Sequence, residues 1–183
     1  MTFLFMHLAT HPHYIAAVRA EFLANIDNYD CQCPMPMLEA VIQESMRMWP
    51  SVFFGSQRVT PPQGMEVNGR FIPGNMIVHI PLFPLFHDAR NFVAPDQFIP
   101  ERWTTKPELV LNRQAFIPFS TGSYSCAGKA LSLMELRSVI GRVVAEFDIV
   151  LDEGTDANAY WEGILDHFTA GAPPMTVRFL RAR

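Results

Sequence analysis

Cysteine is scarce in this sequence, and long apolar runs and clustered positive charge are missing altogether. Three cysteines, Cys31, Cys33 and Cys126, make an odd set. The Cys-Gln-Cys pair has no second Cys or His pair at zinc-like spacing, so a disulfide scaffold is disfavoured and no zinc motif is present. The formal net charge of −4 is spread without a Lys/Arg run. No phosphate-tracking stripe or polybasic membrane patch results, and nucleic acid is a poor partner. The apolar start, Met1 to Ala9, lacks a basic leader and is far too short to span a bilayer. Free termini are usually polar, so this start reads as the end of a longer helix. Internal repeats and low-complexity tracts are also lacking. What the chain does have is apolar mass: 49% of its 183 residues are hydrophobic, ample for one domain with a sizeable core.

Spacing divides the chain into three regions. Phe3, Leu4, Met6 and Leu8 give a helical surface that breaks at His11-Pro12. A second helix runs from Pro12 through Ile15, Val18, Phe22 and Leu23 to about Ile26, with Arg19 and Glu21 facing solvent. A third spans Met37 to about Met48, with Leu38, Val41, Ile42 and Ser45 on one side. From Ser51 to Pro84 short β-rich runs alternate with turns, and Asn68-Gly69 marks a tight hairpin. Residues 85 to 125 have room only for short helical turns. A loop that long is functional or held down by something large. A strong helix follows from Ala127 to about Phe147, its apolar set including Leu131, Leu136, Ile140 and Val143. The tail from Ile149 reads as loops with two or three strands.

The strongest chemical signal is Phe119-Ser-Thr-Gly-Ser-Tyr-Ser-Cys-Ala-Gly128, a small-residue loop delivering one cysteine to the start of a long helix. Gly122 permits a tight bend, Gly128 permits close approach of a flat ligand or neighbouring chain, and helix-start amides favour negative charge on sulfur. A thiolate ligand needs these features, although a lone cysteine among small residues is more often an inert buried thiol. Two further motifs precede it. Glu44-Ser-Met-Arg47 puts opposite charges on one helix face, a pattern that an exposed pair would share, and Pro100-Glu-Arg-Trp103 follows.

Glu-x-x-Arg, then Pro-Glu-Arg-Trp, then Phe-x-x-Gly-x-x-x-Cys-x-Gly, in that order, resembles the cytochrome P450 family, with fungal members nearest in flavour. The resemblance covers residues 1–183 and implies a mainly α fold with small β-sheets, the C-terminal haem-binding part of the family's fold. It implies haem b as cofactor, with Cys126 as axial ligand of the iron pushing electron density that favours oxygen–oxygen cleavage. By the same resemblance Arg58 reaches a haem propionate, Phe119 packs near the proximal face, and Tyr124 and Gly128 belong to the haem loop. Glu44, Arg47 and Arg102 form a buried charge network, and Phe53, Phe54, Phe168 and Thr169 fall in substrate-contacting loops. Tyr124 departs from the family, which usually has arginine or histidine there for the other propionate.

The implied reaction is monooxygenation of a small apolar organic substrate, with electrons from an NADPH-dependent reductase. The family's oxygen-activating Ala-Gly-x-Asp/Glu-Thr-Thr segment is not found in these residues, so no catalytic residue is assigned. The chain is expected to be the last third of an enzyme. A full-length eukaryotic relative is expected at the endoplasmic reticulum membrane, held by an N-terminal anchor not found here. Two alternatives stay open: a non-catalytic fragment with weak haem binding, and an oxygen-independent haem-thiolate isomerase or dehydratase.

Overall fold

The computed structural model of the chain describes residues 1–32 and 34–182. Three helices lead, α1 (Thr2–Thr10), α2 (Pro12–Ala24) and α3 (Pro36–Met48). Pro12 and Pro36 each stand in a first helical turn, where a missing N–H costs nothing and the fixed φ is already helical. At the end of α1 the Thr10 hydroxyl donates to the Met6 carbonyl at 2.9 Å, and the His11 amide donates to that of His7 at 3.0 Å. These bonds satisfy carbonyls that the helix itself leaves open.

Helix α2 stops two residues short of the expected Ile26, and Ile26–Asn28 instead forms a 3-10 turn. Leu23 is exposed rather than on the apolar face. Arg19 and Glu21, expected in solvent, are half-buried clamps. Arg19 donates to the carbonyls of Val144 and Phe147 and to the Asp148 carboxylate at 2.6–2.8 Å. The Glu21 carboxylate accepts the amides of Met37 and Leu38, each at 2.9 Å. It fills orphan donors at the start of α3 with charge of the sign that the helix dipole favours.

The long helix α5 (Lys129–Glu146) begins two residues after the expected Ala127 and buries Arg137, Ile140, Gly141 and Val144. Leu131 points outward. Gly141 makes room for Phe22 of α2 against α5: a Cβ there would stand 2.3 Å from the Phe22 ring. Leu8, Val18, Phe22, Leu38, Ile42, Ile140 and Ile149 form the centre of the main core.

Among the described residues the strands make four two-stranded antiparallel sheets. In sequence order, β1 (Arg58–Val59) pairs with β4 (Ile77–Val78), and β2 (Met65–Val67) pairs with β3 (Arg70–Ile72). In the second pair Asn68 (φ 49°) and Gly69 (φ 74°) take the two left-handed positions of the tight turn. Near the C-terminus β5 (Phe147–Leu151) pairs with β8 (Val177–Arg181), and β6 (Leu165–His167) with β7 (Thr169–Gly171). The tail thus holds four strands, not two or three.

Two short helices were also not expected. Helix α4 (Leu82–Phe86) contains Pro84 and is too short to show a period. Helix α6 (Ala157–Glu162) starts at Asp156, whose carboxylate accepts the amides of Asn158 and Ala159. The segment between α4 and α5 carries four 3-10 turns, and its Phe92 and Ala115 join Leu82 and Phe86 of α4 in a second small core. The molecule is mainly α with small β-sheets, and no described helix is long and apolar enough to cross a membrane. Cys31 and Cys126 are free thiols, while the reading of Cys33 lies outside the described residues.

Candidate functional site

The cysteine loop is shaped by its own backbone. The Cys126 amide donates to the Phe119 carbonyl at 2.8 Å, closing the loop at its base, and the Ser125 amide donates to that of Gly122 at 3.0 Å. Gly122 has φ 76° and Ser120 φ 61°, the left-handed conformation that glycine adopts without strain and serine does not. Helix α5 continues the chain three residues after the thiol, and the Ser132 amide donates to the Gly128 carbonyl at 2.9 Å. Cys126 is exposed. The missing side chain of Gly128 leaves space beside it: a Cβ there would lie 3.7 Å from the Cys126 sulfur.

Strand β1 brings Arg58 to this loop. Its guanidinium donates to the Ser120 hydroxyl and the Tyr124 carbonyl, both at a long 3.5 Å, and lies 5.6 Å from the centre of the Tyr124 ring. These two contacts are loose, whereas Nη1 donates to the neighbouring Gln57 carbonyl at 2.8 Å; a carboxylate would be a stronger partner for the same cation. Nearby in the chain or across the ladder the apolar side chains of Phe54, Val59, Ile77 and Ile80 are uncovered, Val59 and Ile77 as a cross-strand pair on the face of β1–β4 opposite Arg58, and Phe168 at the β6–β7 turn is uncovered too. The Ala170 amide donates to the Ser51 carbonyl at 2.8 Å, which holds that turn beside the Phe53–Phe54 segment. Phe168 itself has φ 75°. Phe53 packs on Trp49 and Phe83, whereas Phe119 is half-buried and shares a cavity wall with Phe3, Trp49 and Leu136.

The structure therefore gathers Cys126, Arg58, Tyr124 and Gly128 on one side, with Phe119 at the loop's base. Among the described residues no three His, Cys, Asp or Glu side chains gather to hold a metal ion. An exposed thiol, a neighbouring guanidinium with no carboxylate partner among the described residues, and a glycine that leaves the sulfur open on one side suit a flat, carboxylate-edged macrocycle with one metal at its centre. The donor set fits haem.

Behind this face stands a buried ionic network. Glu44, Arg47 and Arg102 side chains are fully removed from solvent. One Glu44 oxygen accepts from Arg47 Nη2, Arg102 Nε and the Ile99 amide, each at 2.9 Å. The other accepts from Arg47 Nε at 3.0 Å and the Trp103 indole at 2.9 Å. Arg47 also donates to the carbonyls of Phe86, Pro95 and Gln97, and Arg102 to those of Val93 and Leu109. Burial lowers the Arg102 pKa, opposed by the Glu44 charge. The two arginines thus tie down residues 86 to 109, the run that leads into the cysteine loop.

Sequence reasoning gave no role to several residues packed on this network. His7 is buried between Phe98, stacked at 4.1 Å, and Trp161 at 4.8 Å. Burial, with Coulombic help from His11 and Arg47, drops its pKa to about 3. The Tyr14 hydroxyl donates to Glu101 at 2.9 Å. On the far side of α3, Arg137 donates to Glu39 at 2.8 Å. An i, i+3 pattern signals none of these, because each partner comes from a distant segment.

Comparison with known proteins agrees with this geometry. The family model described as Cytochrome P450 matches residues 1–174. Cytochrome P450 monooxygenase phqL of Penicillium fellutanum is 42% identical over 178 residues, covering 96% of this chain and 31% of the relative. Cytochrome P450 monooxygenase notG' of Aspergillus versicolor is 37% identical, covering 99% and 34%. Tryprostatin B 6-hydroxylase of Aspergillus fumigatus is 35% identical, with the same coverage of each chain. The chain spans about a third of the length of these curated relatives. With a family model matched over nearly its whole length and a thiol loop of this form, the chain belongs to the cytochrome P450 family.

Proposed function

We propose that this chain is the haem-thiolate-bearing part of a monooxygenase acting on an apolar organic substrate. The observation that carries the proposal is Cys126, exposed on a closed backbone loop at the start of α5 and faced by Arg58 from β1. Haem b held there supplies the activation of dioxygen and the insertion of one oxygen atom into substrate. The side chains each have a separate task. Cys126 ligates as thiolate, and Arg58 pairs with a propionate, with the uncharged Tyr124 hydroxyl as a weaker second donor. Phe119 backs the loop, and the Phe53–Phe54 and Phe168–Thr169 segments form substrate walls. Glu44, Arg47 and Arg102 hold the loop's approach without touching substrate.

Relatives named as monooxygenases and as a hydroxylase favour oxygen insertion over an oxygen-independent isomerisation. An NADPH-dependent reductase as electron donor, and the endoplasmic reticulum membrane as location, are carried over from eukaryotic members alone. The test is to add haem to the purified chain, reduce it and add carbon monoxide. A red-shifted thiolate Soret band should form, survive Cys31→Ala and disappear in Cys126→Ser. Retention of that band in Cys126→Ser, or its absence from the wild-type chain, rejects the assignment.

A further inference from the structure

A continuous file of rings crosses the interior beside the ionic network. Trp49 and Trp161 stack almost in parallel, 5.0 Å apart with 6° between planes. Trp161 lies 4.8 Å from His7, His7 4.1 Å from Phe98, and Phe98 5.6 Å from Tyr14. A side route passes through His11, which is 6.3 Å from His7 and 6.2 Å from Tyr14. The tryptophans at one end are half-buried and reachable, while His7, Phe98 and Tyr14 are interior. At the far end the Tyr14 hydroxyl donates to the Glu101 carboxylate at 2.9 Å.

Indole and phenol are the most easily oxidised uncharged side chains, and they differ in one respect. An indole can give up an electron and stay briefly as a radical cation. A buried phenol cannot give up its electron easily unless its proton has somewhere to go. Two tyrosines flank the file. Tyr160 lies 5.0 Å from Trp161, but its buried hydroxyl has no hydrogen-bond partner among the described residues. Tyr14 has a carboxylate in hydrogen-bond contact. The file therefore has one tyrosine at which electron and proton can leave together.

We infer that this file of rings is a one-electron relay, carrying an oxidising equivalent from the Trp49–Trp161 pair to Tyr14 with Glu101 as proton acceptor. A one-electron oxidant takes an electron from an indole of the pair, leaving a radical cation. Tyr14 then returns an electron to that indole through Phe98 and His7 while its phenolic proton passes to Glu101. The products are a restored tryptophan, a neutral tyrosyl radical and a protonated Glu101. One electron from an ascorbate-class reductant, with the proton handed back by Glu101, restores the phenol.

Two electrostatic facts support this direction. The pKa of His7 near 3, caused chiefly by burial, keeps that ring uncharged at neutral pH. No positive charge on His7 then opposes a hole passing the ring. Burial and the Glu101 charge raise the Tyr14 pKa well above its ordinary value, so the phenol holds its proton until oxidation. The relay uses only this chain's side chains and stands apart from the haem assignment.

The test is flash photolysis of the haem-free chain with a ruthenium tris-bipyridyl photo-oxidant and persulfate-class quencher. A Tyr124→Phe background removes the most exposed tyrosine. A tryptophan radical should appear first and decay into a tyrosyl radical. Tyr14→Phe should remove most of the tyrosyl signal, whereas Tyr160→Phe should leave it nearly intact. Glu101→Gln, which keeps size and fold, should slow the tryptophan-to-tyrosine step by about a hundredfold, the lower end of what a positioned base contributes. Loss of the signal in Tyr160→Phe with retention in Tyr14→Phe overturns the relay. So does an unchanged rate in Glu101→Gln, or a tryptophan radical that decays with no tyrosyl product.

Discussion

The ionic network and the cysteine face use the same residue types to opposite ends. In the network two arginines and a glutamate are wholly buried, and Glu44 alone accepts five hydrogen bonds of 3.0 Å or less. On the cysteine side an arginine makes one 2.8 Å bond to a neighbouring carbonyl and two loose contacts of 3.5 Å, with no carboxylate partner among the described residues, and the thiol of the loop it touches is bare. Charge is costly to bury unless every group is paired, so a saturated network fixes one geometry. A cation without a carboxylate and a bare thiol keep affinity in reserve for a ligand. One region is finished by its own chain, and the other is shaped to be completed.

The largest expected effect comes from breaking the finished side. Glu44→Ala strands Arg47, Arg102 and the Trp103 indole, and should cost about 3–5 kcal/mol. Urea unfolding of the chain measures this, and a midpoint equal to wild type would show the network to be no more than a surface pair.

Acid sharpens the same contrast. His7 has its folded pKa lowered from 6.5 to about 3, so below the unfolded value the unfolded chain binds a proton that the folded chain refuses. Stability is complete above about pH 6.5 and falls as pH drops toward 3, by roughly 3 kcal/mol between pH 7 and pH 4 from this group. His7→Phe keeps the stack with Phe98 and Trp161 and should flatten that part of the pH profile. An unchanged slope in His7→Phe would place the acid sensitivity elsewhere.

A third substitution tests packing without charge. Gly141→Ala forces a methyl group against Phe22 at a site with no room for one, and should cost about 1–3 kcal/mol by overpacking. Thermal unfolding reads it directly.

The smallest effect on stability belongs to the open face. Arg58→Leu should change the haem-free chain by less than about 0.5 kcal/mol, yet speed the loss of added haem to an acceptor apoprotein. Tyr124→Arg should slow that loss or leave it unchanged. Equal rates of haem loss for Arg58→Leu and wild type would remove Arg58 from the site.

How much of this could be read in advance depended on distance along the chain. Helices α1 to α3 and α5 announce themselves because apolar positions three and four apart report burial locally. Glu44 and Arg47 share a face for the same reason. Trp103 stands in a recognisable Pro-Glu-Arg-Trp run, but its bond to Glu44 spans 59 residues, which no local pattern encodes. Arg19 and Glu21 look like solvent-facing charges for that reason too: their partners are 129 and 16 or 17 residues away. Helix α6 was legible in principle, since Asp156 followed by Ala-Asn-Ala is a capping signal. A six-residue helix is too short for periodicity to add weight.

The Arg19 clamp also bears on how the protein is made. Arg19 cannot find Val144, Phe147 and Asp148 until the chain has grown by 129 residues. At about 5–20 residues per second that is a wait on the order of ten seconds on the ribosome. Through that interval Val18 and Phe22 have no Ile140 or Val144 to close upon, and the emerging helices present a sticky face to their surroundings. Contacts this remote form late. The nascent chain should therefore be a client of holding chaperones until α5 has cleared the exit tunnel.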